Sequence, residues 1–111
     1  MTQALRHTSK LTDEQKSAMQ ELRTIAEERI SRSYKLKTAR ERYEATQRAL
    51  NYAEMQLHCT SDAHQESDMR RADGARMRHE DARDTLNALL VHFAELETEA
   101  KARERELHSI L

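Results

Sequence analysis

The 111-residue sequence contains no proline, no tryptophan, one glycine (Gly74) and one cysteine (Cys59). Proline and glycine punctuate strands and turns, so their near-absence argues against an all-β or α/β fold. One glycine also forbids a phosphate-cradling loop or a dinucleotide fingerprint. A lone cysteine excludes an internal disulfide and suits a reducing compartment. Aromatics are limited to three tyrosines and Phe93. No apolar run approaches the ~20 residues of a transmembrane helix. The opening stretch, MTQALRHTSKL, lacks the apolar segment of a secretory signal. Cytoplasm is the expected location.

What the chain has instead is charge. Lys and Arg number 19 and Asp and Glu 20, a net charge of −1, with a mean hydropathy of −1.00. A near-neutral chain has no global attraction to nucleic acid or to acidic membranes. At this size, with 37% apolar residues, it forms one domain without a broad globular core.

The apolar residues recur with helical period. Residues 1–11 read as an arm or short helical lead. Thr12 with Gln15 makes a capping box, and Asp13 and Glu14 in the first turn suit the helix dipole. A helix is expected over 12–57. Met19, Leu22 and Ala26 form one stripe; Leu36, Ala39, Tyr43, Thr46, Leu50, Ala53 and Leu57 form another. The register slips near Arg29–Ser33. Residues 58–67 carry no large apolar side chain and read as a turn, with Ser61, Asp62 or Ser67 placed to cap the second helix. From 68 to 111 the heptad is strict, through Ala72, Ala75, His79, Ala82, Leu86, Leu89, Phe93, Leu96, Ala100, Arg103, Leu107 and Ile110. Two helices of matched length with a short link form an antiparallel hairpin. The fold class is therefore all-α, an elongated antiparallel helical bundle with coiled-coil-like packing.

Folding about residues 62–63 sets Leu50 against Ala75, Tyr43 against Ala82, Ala39 against Leu86 and Leu36 against Leu89. Large faces small in most layers, as close packing asks. Two layers fit poorly: Arg29 meets Leu96 and Arg32 meets Phe93, where the arginines would snorkel outward, Arg32 over the ring. In LNALLVHFAEL (86–96), Leu90, Val91 and Ala94 face away from the seam and need cover. A break near 95–99 would fold residues 100–111 back as a short third helix; a homodimer or a protein partner would cover them without a break.

No catalytic constellation emerges, because a helical hairpin offers no pocket for a triad. His58, Cys59 and His64 cluster in the turn without the spacing of a zinc site, and read as solvated turn residues. His79 lies on the seam opposite Thr46, where a hydrogen bond is expected. No metal or other cofactor is expected. Arg29, Arg32, Lys35, Lys37, Arg40, Arg42 and Arg48, interrupted only by Glu41 and Glu44, give a local charge of +5. The first six are the candidate partner-binding residues, toward an acidic protein. The alternative is a solvated surface with i,i+4 pairs such as Glu44 to Arg48.

Leu22-Arg-Thr-Ile25-Ala-Glu27-Glu28, with Tyr34 and Lys35, is similar to the first-helix stretch of the tubulin-binding cofactor A family. Gln65-Glu66-Ser67-x-Met69-x-x-x-Asp73-x-x-Arg76 resembles that family's second-helix segment. The resemblance covers about half the chain. It departs from the family at Ala72, where a proline is usual, and lacks an Asp-Gly turn near Asn51. The resemblance implies a three-helix antiparallel bundle that holds β-tubulin during folding without nucleotide or metal. Lys37–Tyr43 and Ala49–Glu54 are loosely similar to a membrane-curving BAR helix, but such a module is about twice this long. The expected function is thus that of a non-enzymatic protein-binding module, a tubulin chaperone in the sharpest form, with a structural coiled-coil oligomer and a BAR-like membrane binder as alternatives.

Overall fold

A computed structural model describes residues 10–111, so the expected arm at 1–11 lies almost entirely outside the described residues. The described chain is all-α: helix α1 (Asp13–Cys59), a 3₁₀ turn (Asp62–His64) and helix α2 (Gln65–Ile110). α1 starts as its sequence requires. Thr12 N–H donates to Gln15 Oε1 at 3.1 Å, and Gln15 N–H donates to Thr12 Oγ1 at 3.0 Å. The reciprocal pair satisfies two of the donors that a helix start leaves open.

The turn falls within the expected stretch, but its stabilisation is different. Ser61 holds an extended backbone and its side chain caps nothing, while its carbonyl accepts the N–H of His64 at 3.0 Å. The tie across the turn is the Thr60 hydroxyl, which donates to the Asp68 carboxylate.

α2 is continuous through 95–99, so residues 100–110 extend it and do not fold back as a third helix. The local sequence explains this. The stretch contains neither Pro nor Gly, and each broken turn would forfeit backbone hydrogen bonds that no capping residue replaces.

The packed residues divide into two compact units, Ser33–His92 and Met1–Arg32 with Phe93–Leu111. In Ser33–His92 the two helical segments run antiparallel. Leu50, Ala53, Ala72 and Ala75 form a buried cluster, with Leu57 packed on it. Ala39 and Ala82 are also buried. Thr46 Oγ1 lies 3.1 Å from His79 Nδ1, the pairing expected across the seam. The ring of Tyr43 sits 4.8 Å from that of His79. In the other unit, Ala18, Ile25 and Leu107 are buried together, with Leu22, Ala100 and Ile110 against them. In Ser33–His92 the seam is the expected stripe; in the other unit the expected Met19, Leu22 and Ala26 stripe is corrected, because Ala18 and Ile25 are buried whereas Met19 is 43% exposed and Ala26 is exposed.

Candidate functional site

The six candidate cations have unlike fates. Arg29 does not reach out to water but turns along the seam. Its Nε donates to both Glu97 oxygens at 2.9 and 3.0 Å, and its Nη1 donates to Glu104 Oε2 at 2.8 Å. Arg32, with a side chain only 14% exposed, points its Nη2 to Glu97 Oε2 at 3.5 Å. Hydrogen bonds from Arg29 hold the carboxyls of Glu97 and Glu104 below the usual carboxylate range. The same pairs, Glu104 first, raise the pKa of Arg29. An arginine in an apolar slot of the heptad is tolerated because two glutamates on the facing segment receive it. Beside it, Arg103 donates from Nη2 to Glu21 at 3.0 Å and from Nη1 to Glu106 at 2.8 Å. These bonds lower the pKa of Glu21 and raise that of Arg103.

In Ser33–His92, Arg42 Nη2 donates to Asp81 Oδ2 at 2.9 Å across the seam. Arg29, Arg32 and Arg42 are each bound to an acid of their own unit. Lys35, Lys37 and Arg40 are exposed and make no ion pair among the described residues. The expected Glu44–Arg48 pair is not formed, and Arg48 is also exposed without an ion pair among the described residues.

The interface candidates stay uncovered within the chain. In Ser33–His92, Leu90 is 38% and Val91 63% exposed. Ala94, in the other unit, is exposed as well. Sequence reading missed a second uncovered set in Ser33–His92: Tyr34, Tyr52 and Met55 are 72%, 62% and 64% exposed. Their signal was present. They fall outside the heptad stripe of α1 yet keep helical spacing among themselves.

His58, Cys59 and His64 are exposed. Among the described residues no group of three or more His, Cys, Asp or Glu is placed to hold a metal ion. No described helix is long and apolar enough to cross a membrane. A shallow groove of about 300 Å³ beside Glu21 and Arg103 is floored by Ile25, Leu96 and Ala100. Its rim is closed by the Arg103–Glu21 pair, so it presents a surface rather than a chamber. Each unit leaves cations and apolar side chains exposed on regular helix. The chain matches no family model, no curated protein and no solved structure.

Proposed function

We propose that this chain is a non-enzymatic protein-binding module that presents the outward faces of an antiparallel helix pair to other proteins. The observation that carries the reading is the sorting of cations in Ser33–His92. Arg42, Arg70, Arg71, Arg76 and Arg83 are each paired with an acid. Of the five cations of that unit left exposed without one among the described residues, four (Lys35, Lys37, Arg40 and Arg48) lie on α1 and Arg78 lies on α2. Charges with no intramolecular partner, interleaved with exposed tyrosine and methionine, suit an acidic, partly apolar protein surface.

β-Tubulin is the partner to test first, since residues 22–35 and 65–76 resemble cofactor A. The fold does not add to that resemblance, because α1 and α2 replace the implied three helices. The experiment is capture of purified β-tubulin by the intact chain and by the triple variant Lys35→Glu, Lys37→Glu, Arg40→Glu. All three positions are exposed and unpaired, so circular dichroism is expected to stay unchanged. Capture should fall at least ~10-fold, the scale of a few lost charge contacts. Equal capture by the variant removes the cation face from the reading, and no capture by either protein removes β-tubulin.

A further inference from the structure

The outward face of α1 in Ser33–His92 shares Lys37 and its exposed tyrosines and methionine with the proposed partner-binding surface, and it also carries an order of residues that heteromeric binding does not require. Tyr34, Lys37, Glu41, Arg48, Tyr52 and Met55 fall within an arc of about 60° at ~100° per residue, opposite the seam residues Ala39, Leu50 and Ala53. The arc is exposed along its length. Lys37, Glu41 and Arg48 make no ion pair among the described residues, so all three charges are available to a second body.

The order is self-complementary about a point between Glu44 and Ala45. When a second copy is laid antiparallel on this face, Glu41 meets the second copy's Arg48, Lys37 meets its Tyr52, and Tyr34 meets its Met55. Two-fold symmetry makes each contact twice. The contacts are an ion pair, a cation over an aromatic face, and a thioether against a ring, all of them favourable. A parallel arrangement would set Lys37, Glu41 and Arg48 each against its own copy, which like charges forbid. The outward face of α2 has no such order. Met69, Asp73, Met77, Glu80, Asp84 and Val91 share an arc there with no cation among them, Asp73 and Asp84 are already held by Arg76 and Arg83, and the neighbouring Arg70 is held by Glu66.

We infer that the Tyr34–Met55 face of α1 is a self-association surface whose occupant is a second copy of this chain, antiparallel, with its two-fold axis between Glu44 and Ala45. The contact spans about 32 Å of helix at 1.5 Å per residue. A single helix pair of this length lies at the small end of specific interfaces, and corresponds to dissociation on the order of tens of micromolar.

The test is sedimentation velocity on the full chain from ~1 to ~300 µM at low salt. Dimer should accumulate with concentration. Glu41→Arg alone and Arg48→Glu alone each place like charges face to face twice, and each should raise the dissociation constant at least ~10-fold. The double exchange restores opposite charges and should return it to within ~3-fold of the parent. Neither residue has an intramolecular ion-pair partner, so circular dichroism should not change. Orientation is read in a Cys59→Ser background: Ala45→Cys, beside the axis, should cross-link between copies under oxidised glutathione, whereas Met55→Cys should not. A chain that remains monomeric at ~300 µM overturns the inference, as does a double exchange that fails to rescue. Loss of the dimer on Val91→Lys, with the Glu41 and Arg48 variants unaffected, also overturns it by placing the contact on α2. The exchange leaves Lys35, Lys37 and Arg40 in place, so failure here and failure to capture β-tubulin are separate results.

Discussion

Leu107 is the largest side chain among the described residues to be almost wholly buried, at 1% exposure. It fills the space beside Ala18 and Ile25, where few other large side chains are buried. Leu107→Ala should therefore cost about 2–3 kcal/mol, the lost transfer energy plus a partly collapsed cavity. Urea unfolding followed by circular dichroism measures it. Leu111→Ala, at a half-exposed position beyond the end of α2, should change the same midpoint by under ~0.5 kcal/mol. Equal effects at the two positions would contradict this packing. Arg29 has the opposite character. It is a charged residue where the heptad asks for an apolar one, and it is retained by two carboxylates rather than by exclusion from water.

At the scale of the element, residues 13–32 and 93–110 are joined by a small apolar cluster together with carboxylate–guanidinium pairs. Glu21, Glu97 and Glu104 all have pKa values lowered by hydrogen bonds from arginine. Just below the usual carboxylate range, the unfolded segments bind more protons than the folded ones. Stability is therefore complete above the ordinary value of 4.5 and declines as pH falls through the lowered values. Protection factors of the amides in these segments, with the intrinsic pH dependence of exchange divided out, should be higher at pH 6 than at pH 3. Glu97→Gln with Glu104→Gln should flatten that dependence, and an unchanged pH profile would show the pairs to be ornamental. Much of this element was legible in the sequence. The Thr12–Gln15 box and the heptads are local signals, and the turn announced itself as a polar stretch without a large apolar side chain. The glutamates that receive Arg29 were not legible, because they lie more than sixty residues away and lie off the apolar seam. The continuity of α2 beyond residue 95 was legible in part: the strict heptad and the lack of Pro and Gly favoured it, while the uncovered Leu90 and Val91 left a fold-back open. The exposed Tyr34–Met55 face was hidden for another reason: heptad periodicity reports the seam of a helix and is silent about its opposite side.

For the molecule as a whole, charge is abundant yet balanced, with a sequence pI near 6.6. Solubility rests on surface charge, and with the net charge at zero little long-range repulsion keeps copies apart. The polyethylene glycol concentration that precipitates the chain should therefore pass through a minimum near pH 6.6 and rise by pH 8.5; a monotonic profile would contradict this. The seam within Ser33–His92 has a different kind of economy. Ala39, Ala53, Ala72, Ala75 and Ala82 make it close to a smooth track, since one alanine layer is sterically much like the next. A sideways step of seven residues would meet many of the same small methyl groups. Beside the exposed Arg42–Asp81 pair, the part-buried contact that cannot survive such a step is directional: Thr46 gives its proton to the Tyr43 carbonyl, leaving its oxygen to accept from His79 Nδ1. A chain deprived of that catch would remain helical and paired while losing its unique alignment, like a zip whose teeth are too alike to remember where they were closed.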